Sequence, residues 1–214
     1  MKCLISLALL LESDNQLDAA EEAASRAIDL LSETDDQFLL CRSHHTLGDI
    51  YRSKGETGKA IHHFEVALRI ASSFGWHDRL FWINHSLACL FAGEGRFDDA
   101  QAHVDRAKSH VVDHAYKLGR AIELQTWVWY KQHRLEEAGS EALRAADIFE
   151  QVGATTDLEY CRGLLQHIEA KLDRLADSGQ SGSNCKLPQI LRFPARVNFP
   201  FQARGTKIWY RLFR

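Results

Sequence analysis

Residues 54–59 read KGETGK, two glycines, two lysines and a threonine close enough together to cradle a phosphate. A nucleotide-gripping loop needs G-x-x-x-x-G-K-[ST] leaving a buried strand, so that backbone N–H groups wrap the phosphates and a hydroxyl holds magnesium. Here Ala60 stands where that hydroxyl belongs, and Ser53 stands where the first glycine belongs. The preceding LGDIYRSK holds no β-branched apolar run that could be the strand. The cluster fails as a phosphate site, and its glycines need another role.

Eleven histidines raise metal chemistry next. His44-His45 and His62-His63 are sequence neighbours, so on a helix the two rings of each pair point roughly 100° apart and cannot chelate together. His110 and His114 have i, i+4 spacing and would share a face if one helix ran through both, with only Asp113 beside them. They are expected to be solvated or capping groups, and no metal site and no cofactor are predicted. The acid pairs Glu21-Glu22, Asp98-Asp99 and Glu136-Glu137 fit the first turns of helices, where negative charge complements the helix dipole. Ser, His and Asp occur without a nucleophile elbow, and Asn84-His85-Ser86 is a glycosylation sequon inside a helical pattern. No catalytic residue emerges, and a non-enzymatic protein is expected.

What must position these residues is a repeat. Leu47, Gly48, Tyr51, Ala60, Phe64 and Ala67 are matched forty residues later by Leu87, Ala88, Phe91, Ala100, Val104 and Ala107. Forty residues earlier stand Leu7, Ala8, Leu11, Ala20, Ala24 and Ala27. A fourth copy, shifted by thirty-eight, supplies Thr126, Trp129, Ala138, Ala142 and Ala145, with Gln125 in place of the leucine. Spacings of three and four put each half on one helical stripe. Turn signals separate the halves: SDNQ at 13–16, SKGETG at 53–58, AGEGR at 92–96 and KQHR at 131–134. Gly55 and Gly58 are therefore expected to make a turn, because glycine tolerates the positive φ that ends a helix. Gly48 and Ala60 are expected at close helix contacts filled by Tyr51 and Phe64. The pattern predicts helices at 2–12, 16–32, 36–53, 57–74, 78–93, 97–112, 116–132, 135–151 and 156–176, the last serving as a cap.

Composition bounds the rest. With 214 residues and 45% apolar content the chain can build a sizeable core. Residues 177–214 hold seven basic residues against the single acid Asp177, a charge of +6, so the chain's −3 leaves −9 for residues 1–176. The division expected is a helical repeat domain over 1–176 and a flexible, disordered basic tail over 177–214, which opens with a Gly/Ser linker and holds all three prolines. Three readings of that tail stand: a segment for acidic lipid or RNA, a segment folding back on the acidic body, or an artefact of translation past a true exon end. Cys3, Cys41, Cys89, Cys161 and Cys185 are scattered with no C-x-x-C pair, which reads as reduced thiols in a cytoplasmic protein. No apolar run reaches the roughly 20 residues of a membrane span. MKCLISLALLL imitates a signal peptide but lacks a small-residue cleavage site and continues the repeat.

The order Leu-Gly-x-x-Tyr followed by Ala, an aromatic and Ala resembles the tetratricopeptide repeat, closely over 42–72 and more loosely in the flanking copies. The period of forty exceeds the usual 34 and is similar to the long-helix version in kinesin light chains and in STAND-type signalling proteins. The stretch RFDDAQAHVDRAKSH…HRLEEAGSEALRAADIFEQVGA resembles such repeats in fungal NACHT/NB-ARC proteins. The resemblance covers about residues 1–176. It implies an all-α, right-handed solenoid of about four helix-turn-helix repeats plus a capping helix, acting as a non-catalytic scaffold or sensor for a protein or peptide. It further implies a longer parent, with upstream repeats or an NTPase domain, and the uncapped start of the first helix points the same way. A free-standing adaptor, whose basic tail targets membrane or nucleic acid, is the alternative; nucleic acid is not the partner expected of the repeats.

In such a solenoid the first helix of each pair lines the concave face. The residues off the core stripe are then Arg42, His45, Asp49 and Arg52, next Trp82, His85 and Cys89, and finally Arg120, Glu123, Trp127, Tyr130 and Lys131. Arginine and large aromatics facing solvent are the side chains that dominate binding hot spots. The competing reading makes Trp82 and Trp127 core fillers. His45 and Asp49 depart from the lysine and asparagine of carboxylate-clamp repeats, which speaks against a chaperone C-terminus as partner.

Overall fold

The computed structural model describes residues 2–111 and 114–177. These are helical throughout apart from short turns: α1 Lys2–Ser13, α2 Leu17–Ser32, α3 Gln37–Lys54, α4 Thr57–Ser73, α5 His77–Gly93, α6 Phe97–Ser109, α7 Ala115–Lys131, α8 Leu135–Gln151 and α9 Thr155–Asp177. The chain divides at 112–113 into two compact units, one holding α1–α6 and the other α7–α9. The predicted tail, with its aromatic and basic residues and Cys185, lies beyond the described residues.

The turns reveal the repeat most directly. Left-handed backbone occurs at Asn15, Gly55, Gly95 and His133, three positions forty apart and a fourth thirty-eight further on. At Gly55, φ of 76° closes α3, and its N–H reaches back to Arg52 and Tyr51 carbonyls while Glu56 N–H bonds Tyr51 O at 2.9 Å. Gly58, expected to share this turn, instead lies in the first turn of α4, because Gly55 alone completes the reversal.

In the first unit, consecutive helices pack as antiparallel neighbours, α3 against α2 and α4, and α5 against α4 and α6. Ala20, Ala24, Ala27, Ala60, Ala67, Ala100 and Ala107 are buried on the second helices, and Leu47, Ile50, Leu87 and Leu90 on the first. The α3–α4 crossing is as tight as expected at Gly48, where a Cβ would meet the Phe64 ring at 2.6 Å. Phe64 fills the gap, whereas Tyr51 turns its hydroxyl to donate to Glu21 at 2.8 Å.

In the second unit, Gly119 repeats the device against Phe149, where a Cβ would sit 2.7 Å from the ring. Helix α9 seals the α7–α8 hairpin: Cys161 joins Ile122, Ala145 and Phe149, while Leu164 and Ile168 join Tyr130, Leu135 and Ala138. Buried Cys41, Cys89 and Cys161 behave as small apolar side chains, and only Cys3 is exposed among the described thiols. Burial pushes the Cys41 thiol up to about 11.

Candidate functional site

Residues Arg42, His45, Asp49 and Arg52 recur at three- and four-residue steps along α3, which places them on one stripe. Asp49 is the hub. Arg52 donates to its Oδ1 from Nη2 at 3.2 Å and from Nε at 3.4 Å. His45 sets Nε2 3.5 Å from the other Asp49 oxygen and 3.1 Å from Ser86 Oγ on α5, tying two first helices together. Burial lowers the His45 pKa, although the Asp49 charge opposes this. Arg52 and Asp49 form an ion pair within the stripe, at 3.2 Å.

On α5 the equivalent positions are Trp82, His85 and Cys89. Trp82 is half-buried, edge-on to Phe81 and 5.8 Å from the His85 ring. His85 and Cys89, expected to face solvent, are buried, with Sγ and Nδ1 3.7 Å apart. The third contributor is Glu12 of α1, 7% exposed, which accepts a hydrogen bond from Ser53 Oγ at 3.0 Å. Burial, and then the Asp49 charge, push its carboxyl up to about 7. Sequence reasoning did not reach Glu12, Ser53 or Ser86. The signal for Glu12 was available: it stands forty residues before Arg52, at the same point of the repeat.

The second unit builds a related group on α7. Arg120 donates from Nη1 to Glu123 Oε2 at 2.7 Å and to Asp157 Oδ1 of α9 at 3.2 Å. Glu123 is 4% exposed, and burial, together with Asp157 and against Arg120, raises its carboxyl to about 7. Trp127, expected to face solvent, is only 1% exposed, and Tyr130 packs on Leu164 and Ile168. Of the two tryptophans weighed as core fillers, Trp127 is buried and Trp82 half-buried, while α9 covers Tyr130. Lys131 sits 5.5 Å from the Trp127 ring centroid.

The other candidates resolve as scaffolding. Lys59 pairs with Glu56 at 2.6 Å, and Lys54 donates to Asp18 at 2.7 Å and Glu21 at 2.6 Å, so the lysines of KGETGK hold carboxylates. Asp98-Asp99 and Glu136-Glu137 do begin α6 and α8, but Glu21-Glu22 lie in the second turn of α2, which starts at Leu17. His110 caps the end of α6 and His114 precedes α7, so no single helix presents the pair. His110 Nδ1 lies instead 3.2 Å from His77 Nδ1. Asn84 is buried within α5, donating to Leu80 O at 2.7 Å, which removes it as a glycosylation acceptor. Among the described residues no group of three or more His, Cys, Asp or Glu side chains is placed to hold a metal, and no helix is long and apolar enough to cross a membrane.

Residues 3–73 match the family model described as tetratricopeptide repeat. The fold is similar to a Rap protein complexed with Competence and Sporulation Factor, at 17% identity and TM-score 0.72. That likeness covers 83% of this chain but 50% of the Rap protein, so the chain spans about half its length. BtubC (BKLC) from P. vanneervenii aligns over 89% of this chain and 86% of its own, at 19% identity and TM-score 0.59. Nearly identical TPR-like repeats from Podosopora anserina, assigned to a kinesin light chain, align over 84% of this chain and 96% of their own, at 15% identity and TM-score 0.57. At such identities the likeness is one of fold. No curated protein matches the sequence.

Proposed function

The chain is a tetratricopeptide-like repeat protein, and on that premise we propose that it is a non-catalytic interaction module whose first unit receives a protein or peptide segment on the α3–α5 face. The observation carrying this reading is the polar stripe Arg42–His45–Asp49–Arg52, in which Ser86 of the next first helix holds His45 and Arg52 bonds Asp49. A fixed Asp49–Arg52 pair offers both signs of charge, so it can orient a segment carrying an acid or a base. Half-buried Trp82 supplies an aromatic anchor beside it. That a Rap protein of the same fold was solved with a bound factor supports ligand binding by this architecture. In the second unit, Arg120, Glu123 and Lys131 are the positions assigned to contact, with Trp127 and Tyr130 supporting them from the core. The parent assignment, a STAND-type NTPase whose repeat arm this chain forms, rests on the resemblance of residues 96–154 to fungal NACHT/NB-ARC repeats.

A displayed random-peptide library selected on the full chain tests the reading. Trp82→Ala and Arg42→Ala are each expected to weaken selected peptides by about 1–3 kcal/mol, with the circular dichroism spectrum unchanged. Indifference to both, joined to loss of binding and steep salt dependence on removal of 178–214, would instead establish the basic tail as the binding element. A reading frame for a NACHT or NB-ARC domain adjoining the coding sequence is the outcome expected for the STAND assignment.

A further inference from the structure

Helix α1 presents a face that its counterparts hide. Cys3, Leu7 and Leu10 are exposed, Leu7 at 44% and Leu10 at 60%, the latter the most exposed large apolar side chain among the described residues. Forty residues on, Ser43, Leu47 and Ile50 are no more than 3% exposed; eighty residues on, Ile83, Leu87 and Leu90 are no more than 5% exposed. The difference is a neighbour. Helix α3 packs against the preceding α2 and α5 against the preceding α4, whereas α1 has no preceding helix among the described residues. We infer that this face is covered by α1 of a second copy of the chain, the two helices running antiparallel about a twofold axis.

Spacing and charge select that occupant. Cys3, Leu7, Leu10 and Asp14 step by four, three and four residues, the seam of a two-helix coiled coil. Asp14 still follows the helical spiral, its N–H bonding Leu10 O at 3.0 Å. An antiparallel pair centred midway along this seam sets Leu7 of each copy against Leu10 of the other, and Cys3 against Asp14. The Asp14 carboxylate then meets the first turn of the opposite α1, where unpaired N–H groups favour negative charge. A parallel pair would instead bring the two Asp14 carboxylates together. No charged residue lies between Cys3 and Leu11, so the seam itself does not repel a second copy although residues 1–176 carry −9. The flanks agree: Ser6 is small and exposed, and Leu4 and Leu11 are half-buried apolar edges. A helix about 18 Å long buries less than the roughly 800 Å2 per partner of a standard interface, so the dimer is reversible, with a dissociation constant in the micromolar range.

Sedimentation equilibrium of the full chain under reducing conditions, from about 2 to about 200 µM, is expected to show a monomer–dimer equilibrium. Leu7→Glu and Leu10→Glu should each weaken the dimer by about tenfold or more, since each buries a carboxylate in the central layers. Both sites are exposed in the monomer, so the dilute variants should melt like the parent. Leu30→Glu, at an α2 leucine of similar exposure, should leave the dimer unchanged. Asp14→Asn should weaken it about threefold or more, because two contacts with helix N-termini lose their charge. A chain that is monomeric at every concentration, a dimer indifferent to Leu7→Glu and Leu10→Glu, or one weakened equally by Leu30→Glu would each overturn the proposal. An unchanged or tighter dimer in Asp14→Asn would overturn the antiparallel arrangement. A monomeric chain whose melting temperature rises with a synthetic copy of residues 56–74, with the rise lost in Leu10→Glu, would give the face to a helix of the α4 type instead.

Discussion

The α3–α4 and α7–α8 hairpins make the same close crossing, one near its turn and the other near its open end. In α3–α4 the small residue is Gly48, six residues before the helix ends, and its partner Phe64 lies in the first half of α4. In α7–α8 the matching position is Thr126, whose hydroxyl donates to its own helix at Ile122 O, and the facing residue is Ala142. There the glycine and phenylalanine are Gly119 and Phe149, at the open end away from the turn. One aromatic wedge against one glycine sets the spacing wherever it falls along the hairpin, because two rigid helices need a single fixed point beyond the turn. Their charged pairs differ likewise. Asp49 precedes Arg52, the favourable order on a helix, whereas Arg120 precedes Glu123 and recruits Asp157 from α9 as a second carboxylate.

The largest test removes the wedges. Phe64→Ala and Phe149→Ala should each cost about 3–5 kcal/mol in thermal or denaturant unfolding, since both side chains are fully buried. A much smaller loss for one would mean that its hairpin is held elsewhere. Next come Gly48→Leu and Gly119→Leu, each expected to destabilise by roughly 1–3 kcal/mol through overpacking against the ring. An unchanged melting temperature for either would break the parallel between the two crossings.

The carboxyls give a subtler contrast. Glu12, raised from 4.5 to about 7, binds its proton more tightly folded than unfolded, so its contribution to stability is full below about pH 4.5 and is lost as pH rises to about 7. His44 and His103, lowered from 6.5 to about 4, run the other way, adding stability as pH rises between those values. Glu12→Gln isolates the first effect: equal to the parent near pH 4.5, and more stable by about 1–2 kcal/mol at pH 8. Glu123→Gln should gain less, because it also removes a partner from Arg120. A gain that is independent of pH would show that ionisation of Glu12 is not its source.

The smallest effects lie at the helix starts. Asp36 caps α3 by accepting from Leu39 N at 3.0 Å, while His114 precedes α7 without a side-chain cap. Asp36→Ala should lose about 1 kcal/mol, and His114→Asp should gain about 0.5 kcal/mol, both read by thermal melts. Opposite signs would sharpen the contrast between the hairpins, and equal signs would remove it.

Much of this was written in the linear order of residues. The forty-residue recurrence of leucine, small residue and aromatic implied every helix, and the bounds found differ from those expected by no more than three residues. Periodicity is local physics: an apolar stripe at 3.6-residue spacing has to be buried, and a turn residue stops the helix between stripes. The alanine and glycine positions of α3 and α4 were legible for the same reason. What only the tertiary structure decided was how polar groups pair between helices. The hydrogen bond of His44 with His63, the tie of His45 to Ser86, the burial of Glu12 beside Arg52 and the inward turn of Trp127 each depend on a rotation of one helix against another. A shift of some tens of degrees would exchange groove for core at those positions without altering any stripe. Alanine and leucine need only be covered, so their spacing foretells their place; a histidine or a carboxylate takes its character from the one atom that happens to lie about 3 Å away, which no periodicity encodes.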